Sequence, residues 1–356
     1  MSTTAGSSVP MRTVLSHIAV PLLMGAVMAL AYLGGFHKPD PHDLRIDIVG
    51  STTQTAVVTD QLQRALGDHA DLRVVDTVDQ ARDALLHREI AGAYVLSDSH
   101  PTLMVSTGAS DTAAVSIERM FMPVAAHAGL PLDITDVAPV DSGTDPSGQS
   151  LFFFLVALTV GAYATAIAIG AAGASKPLSI RIGLGVIGAA VNTALVTFIG
   201  TVIFDAIGSH TGQIMALAFV YCLAIMAFGI ALHSLIGRFT TIVMVTLFVG
   251  LNFTSSGGVF PPSLQPGFFG ALHSFWIGAG FNEAGRNLLY FPSVGITGEV
   301  WKIVGWVIVG AALLGTAAAV ERRRAANTLP AAPAGRHERG GLTETTEEEL
   351  EEAVVA

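Results

Sequence analysis

The sequence predicts an α-helical integral membrane protein with six spans, a re-entrant hairpin before the last span, and an inserted α/β extracytoplasmic domain. Three observations predict this. First, 51% of the residues are hydrophobic and only 13% are charged, a membrane composition rather than that of a soluble enzyme. Second, six segments are continuously apolar: 18–36, then about 151–174, 182–204, 214–236, 239–254 and 303–320. Third, residues 37–149 hold seven basic and seventeen acidic side chains, while the rest of the chain holds eleven of each. The whole net charge of −10 therefore sits in one hydrophilic segment.

Residues 1–17 are polar and small, with Arg12 the one charge, and form a short N-terminus. Residues 18–36 come close to the roughly 20 residues that a spanning helix needs. Ala29-Leu30-Ala31 keeps a cleaved signal peptide open beside an uncleaved anchor. Pro21 is expected in the first turn, where a missing N–H costs least. Within 37–149, strand patterns at 45–49, 72–75, 91–96, 102–105 and 132–137 alternate with helical ones at 55–66, 78–87 and 112–128. Thr77 or Asp76 is placed to cap the second helix. The segment has the size of a small α/β domain.

The basic residues set the topology. Arg12, Lys176 with Arg181, Arg238, and Arg322-Arg323-Arg324 fall on one side of six spans. By the positive-inside rule that side is cytoplasmic, which puts both termini inside and the acidic domain outside a cell inner (plasma) membrane. Residues 321–356, Ala/Pro/Gly-rich and then Glu-rich, read as a disordered cytoplasmic tail.

Between the last two spans, stretch 255–292 is broken by Gly257-Gly258, Pro261-Pro262 and Pro266-Gly267. Irregular backbone near membrane depth survives only where protein or a water-filled cavity satisfies its polar groups, so the stretch reads as a re-entrant or interfacial hairpin. Ser255, Ser256, Gly257, Gly258, Phe260, Pro261, Glu283 and Arg286 are its candidate gate residues. Glu283 and Arg286 stand one helical turn apart and can pair, with Asn282 and Asn287 extending the polar face. A pathway role for them stands beside a plain ion pair that holds the hairpin.

Ser255-Ser256-Gly257-Gly258, Phe260-Pro261, Pro266-Gly267-Phe268-Phe269 and Leu272-His273 resemble the signature that follows the fifth span of ABC-2 type permeases, nearest the YhgE/Pip-like branch. Glu283-Ala284-Gly285-Arg286 approximates the family's helix ending in Arg. The chain departs at Ser274-Phe275-Trp276-Ile277-Gly278, where the family usually carries Pro. The resemblance implies a six-span ABC-2-type bundle with an external domain after its first span. It also implies a homo- or heterodimer of permeases, and an ABC ATPase subunit that binds ATP in place of this chain. There is no G-x-x-x-x-G-K-[ST], and Gly170–Lys176 has the wrong spacing to replace it. Ser175, Lys176, Pro177 and Arg181 form the candidate coupling loop to the ATPase, with an ordinary basic anchoring loop as the alternative.

The implied function is the membrane subunit of an exporter for an amphipathic or hydrophobic substrate such as a lipid, drug or envelope component. Two other classes compete with it. One is a non-transporting envelope receptor or scaffold acting through the external domain. The other is a proton-driven transporter built on Glu283, although Asp205 and Glu299 lie at span ends and offer no relay.

No enzyme chemistry emerges. The six histidines of 37–149 have no cysteine near them to suggest a zinc site, and no Ser/His/Asp set has a hydrolase context. The single cysteine, Cys222, excludes an intrachain disulfide and suits a core position. No basic cluster suggests nucleic acid. Gly161, Thr165 and Gly170 on one span and Gly183, Gly185, Gly188 and Asn192 on the next suit close helix packing. Phe152-Phe153-Phe154 is expected at the membrane interface, and the Asn252-Phe253-Thr254 sequon is a chance match.

Overall fold

The computed structural model describes residues 11–328. Helix α1 (Met11–Phe36) begins before the apolar run, so Pro21 lies inside it and not in its first turn. Residues 1–10, most of the expected N-terminus, fall outside the described residues.

The hydrophilic segment folds as expected. Its elements are β1 (Leu44–Val49), α2 (Thr53–Leu66), β2 (Ala70–Val75), α3 (Val78–Leu86), β3 (Gly92–Val95), β4 (Thr102–Val105), α4 (Thr107–His127) and β5 (Asp133–Asp136). The five strands run in the order β2-β1-β3-β4-β5. β1 is parallel to β2 and β3, β4 is antiparallel to β3, and β5 is parallel to β4. Alternation along β1 explains the two cores. Leu44, Ile46 and Ile48 pack with Leu62 of α2 and Ile117 and Phe121 of α4. Val49 points the other way, with Ala81 and Leu85 of α3. Of the two caps the sequence leaves open, Thr77 is the one used, in a reciprocal box with Gln80. The helix expected over 112–128 gains a preceding turn and a break at Ser110, whose hydroxyl then caps Ala113 N at 3.2 Å.

The apolar part comprises α5 (Ser150–Ala172), α6 (Leu178–Phe198) with a π-helical turn over Ile199–Ile203, and α7 (Thr211–Ile236). Next come α8 (Thr240–Val245), a second π-helical turn over Thr246–Leu251, and α9 (Asn252–Ser255). The short helices α10 (Gly267–His273) and α11 (Ile277–Tyr290) precede α12 (Thr297–Thr328). Five stretches are long and apolar enough to cross a membrane: Ile18–Phe36, Ser150–Ala172, Leu178–Ile203, Thr211–Ser255 and Thr297–Asn327. The fourth, at 45 residues, folds back at Gly237, whose backbone is left-handed (φ 56°). The rings of Phe228 and Phe248 lie 5.3 Å apart, and Asn252 Nδ2 reaches Tyr221 Oη at 2.8 Å. Partners that draw apart in sequence on either side of Gly237 define two antiparallel arms.

The bundle core is filled by large side chains from α5, α7, the α8–α9 arm and α11, among them Phe154, Tyr221, Phe228, Phe248 and Phe281. Two expectations change here. Phe152 and Phe154 are buried in this core, and only Phe153 faces outward. α12 runs on to Thr328, so 321–328 of the expected tail are helical turns; residues 329–356 lie outside the described residues.

Candidate functional site

Helix α9 ends at Ser255, and a helix end leaves its last carbonyls without intrahelical donors. Here each following carbonyl meets a side chain. His273 Nδ1 lies 2.9 Å from Ser255 O, and Asn282 Nδ2 donates to Ser256 O at 3.3 Å. Arg286 donates through Nη1 to Gly257 O at 2.8 Å and through Nη2 to Gly258 O at 3.2 Å. Thr112 Oγ1, from α4 of the external domain, donates to Val259 O at 2.9 Å. Two glycines make the path possible. Gly257 has φ 74°, which a side chain would strain. A Cβ on Gly258 would lie 2.2 Å from the Phe152 ring. These five successive carbonyls are therefore satisfied by protein side chains, which is what buried irregular backbone requires.

The next residues enter the external domain. Leu264 is wholly buried in its core, and Phe260 packs on the same cluster. Asp40 N and His42 N donate to Leu264 O and Ser263 O at 3.3 and 2.9 Å. Gln265 turns back to hold Thr254 O at 2.8 Å. The broken stretch and the α/β domain thus share one end of the bundle.

A second link comes from Arg88, just past α3. Arg88 N bonds Leu85 O at 3.0 Å and Glu89 N bonds Ala84 O at 2.9 Å, a Schellman ending in which glycine normally takes the left-handed position. Arg88 occupies it with φ 61°, a conformation costing about 1–2 kcal/mol for a residue with a Cβ. Its side chain explains the choice. Arg88 Nη2 donates to Glu283 Oε2, Nη1 donates to Asn287 Oδ1 at 2.6 Å, and the guanidinium lies 5.3 Å from the centre of the Phe291 ring.

Glu283 is buried between two guanidiniums, with Arg286 Nη1 3.3 Å from its Oε1 on the expected i,i+3 face. Burial opposes its ionisation, but Arg88, Arg286 and the His273 ring outweigh burial and hold the carboxyl far below the usual carboxylate range. Burial also lowers the His273 pKa, only partly offset by Glu283, so its ring is neutral at pH 7. Deeper in the bundle, Thr159 Oγ1 lies 2.5 Å from Tyr221 Oη, which accepts from Asn252.

All eight candidate gate residues fall in or beside this knot. Ser255 and Ser256 are fully buried, Glu283 and Arg286 nearly so, and Phe260 and Pro261 half-buried. The candidate coupling residues do not stay together. Ser175, Lys176 and Pro177 are exposed where α5 passes to α6. Arg181 is not in that loop; it lies in the first turns of α6, 3% exposed, and its Nη1 donates to Ser234 Oγ of α7 at 2.8 Å. It is a helix-pairing residue, because the apolar run of α6 starts before it and turns its side chain inward. Sequence reasoning missed Arg88, Thr112, Tyr221 and Gln265. Only Arg88 carries a signal, an arginine where a helix ending wants glycine.

Three cavities adjoin this end. One of about 220 Å³ lies at the base of the external domain, beside Arg88 and the 261–263 loop. One of about 410 Å³ is apolar and lined by Phe153, Phe154, Ala157, Val196, Ile199 and Phe204. It shares Thr144 and Ala206 with a third, polar one of about 590 Å³ that Asp141, Asp145 and Asp205 border. Comparison with protein-family models, curated proteins and solved structures finds no match for this chain.

Proposed function

We propose that this chain is the membrane subunit of an ABC-2-type exporter, moving an amphipathic or hydrophobic substrate outward under the drive of a separate ATPase. One observation carries the reading. The residues behind the family resemblance, Ser255 to Gly258, His273 and Arg286, form one constellation although they are spread over some thirty positions. A motif that folds into a single unit is the kind of signature a family retains.

On this reading the Gly237 hairpin supplies two passes, which makes six with the other four stretches. Buried side chains from several helices fill the bundle core, so on this reading substrate would pass along the surface, between two permease copies. The apolar cavity with its polar neighbour offers such a substrate a place to rest at the outer end. The exposed 175–177 segment would receive the ATPase's movement, and the Arg181–Ser234 contact would pass it from α6 to α7. Burial of Glu283 between two arginines favours the ion-pair role over a proton carrier, since a carboxyl with a strongly lowered pKa does not titrate near neutrality.

The test is purification from native membranes in mild detergent, with identification of whatever accompanies the chain and an assay of its ATP hydrolysis. An ATPase in stoichiometric amount, lost when 175–177 is replaced by Gly/Ser, is the expected result. Recovery of envelope proteins bound to 37–149, with no ATPase, would sink the exporter reading in favour of a scaffold.

A further inference from the structure

The apolar cavity and its polar neighbour at the outer end share Thr144 and Ala206, so they form one two-chambered space. The apolar chamber, about 410 Å³, lies where α6 gives way to the π-helical turn over Ile199–Ile203. Such turns recur at functional sites. The exposed Phe153 and Phe204 line this chamber together with the buried Phe154 and Ile207. Its size falls in the range of pockets that enclose a small organic body.

The polar chamber, about 590 Å³, is lined by Asp141, Asp145 and Asp205 and by no Lys, Arg or His. These acids differ in what they offer. Asp145 is 5% exposed and accepts from Gln149 N and Ser150 N at 3.0 and 3.1 Å, so it adds negative potential and no contact surface. Asp141 is exposed, and the N–H groups of Gly143 and Thr144 hold its carboxyl below the ordinary carboxylate pKa. Asp205 is also exposed, and among the described residues its carboxylate has no hydrogen-bond or ion-pair partner. It stands between Phe204, which lines the apolar chamber, and Ala206, which both chambers share. A free carboxylate is thus placed at the junction of the two.

Acids alone make no site, and no three His, Cys, Asp or Glu side chains among the described residues are placed to hold a metal ion. What sets this place apart is the apolar chamber beside the acids. We infer that the two chambers bind an amphipathic organic cation, its apolar body beside Phe154 and Phe204 and its ammonium-type head facing Asp205 and Asp141. Charge complementarity selects this occupant, since an anionic amphiphile would meet three carboxylates and no cation. As a binding site the assignment stands on the cavities. As the resting place of exported substrate it rests on the exporter reading above, and it narrows that substrate to cations.

The experiment uses the full chain in phosphatidylcholine nanodiscs with no ATPase added. Octyltrimethylammonium is titrated below its micelle-forming concentration, with octyl sulfate as the matched anion, constant ionic strength and empty discs as background. Calorimetry should show saturable binding of the cation, about tenfold tighter than that of the anion. The double variant Asp141→Asn/Asp205→Asn should lose about tenfold in cation affinity. Ala157→Phe, which fills the apolar chamber from an exposed position on α5, should weaken the cation as well. Asn keeps an accepting oxygen at 141 and tolerates the left-handed backbone at 205 (φ 50°), so an unchanged thermal midpoint is expected. Absence of saturable binding, equal affinity for the two ions, or a cation affinity unchanged in the variants overturns the site. Recovery of an ATPase from native membranes is a separate measurement, so this site and the exporter reading stand or fall independently.

Discussion

The two ends of the bundle are built differently. At the end that carries the α/β domain, five successive carbonyls from Ser255 to Val259 meet side-chain donors from α4, α10 and α11. Arg88 adds an ion pair to Glu283 from the domain itself. At the other end, the α5–α6 connection exposes Ser175, Lys176 and Pro177, and the turn at Gly237 is likewise short and open. Polar groups that are buried must be paired with protein, whereas exposed ones are left to solvent or a partner. The contrast separates an end locked from within from an end available to another protein.

The largest effect should follow removal of one member of the knot. Glu283→Ala leaves two arginines facing each other in a buried site, and breaking such a pair costs about 3–5 kcal/mol. A large drop in the thermal midpoint of the detergent-purified protein is expected, with Arg286→Ala similar because it also frees two carbonyls. A midpoint unchanged in both variants would show that the knot is not what locks this end.

Arg88→Ala should cost less, because a favourable ion pair is lost while left-handed strain of about 1–2 kcal/mol partly remains. Arg88→Gly should recover part of that strain. Hydrogen exchange should rise at the base of the external domain, around 88–91 and 261–264, and leave α5 to α7 unchanged. Exchange that rises evenly along the chain would contradict a local joint.

Tyr221→Phe deletes the bridge between Thr159 and Asn252, leaving a buried amide unpaired at a cost of about 1–3 kcal/mol. The midpoint should fall without any change in domain exchange, which marks the bundle core as distinct from the joint. At the open end, Lys176→Gly should alter stability by no more than about 0.5 kcal/mol, as exposed substitutions do. It should nevertheless weaken recovery of an ATPase, and a marked loss of stability would mean that this end is not free.

The smallest effect is that of pH. The Glu283 pKa is depressed from its ordinary 4.5 to about 2. Its contribution is therefore complete above about pH 5 and is lost as pH falls from there through 2. Hydrogen-exchange protection at 88–91, corrected for the intrinsic pH dependence of amide exchange, should be flat from pH 5 to 8, since Glu283 stays ionised throughout. A transition inside that window would assign the joint to His273 instead, whose pKa burial lowers from its ordinary value.

Much of the molecule was legible in the residues alone. The apolar runs, the acidic insert, the strand and helix order of 37–149 and a cap at Thr77 or Asp76 depend on local pattern: period two in strands, long apolar runs in helices, and a polar residue just before a helix. The broken character of 255–292 and the Glu283–Arg286 pairing were equally local, because glycine, proline and i,i+3 spacing act within a turn or two. Arg181 misled for the same reason. A basic residue near a loop looks exposed until the helix phase of its neighbours decides which way it points.

The tertiary structure alone decided the rest. Arg88 meets Glu283, Thr112 meets Val259, and Leu264 fills the core of a domain that begins more than two hundred positions earlier. These partners are linked by no periodicity, since each side chain is fixed by a different local element and the elements are brought together by packing. The sequence by itself determined which backbone would be irregular and which surfaces apolar, because both follow from the chemistry of neighbouring residues. Which donors would satisfy that irregular backbone depended on the folded arrangement, because a buried carbonyl accepts from whatever donor packing places within about 3 Å.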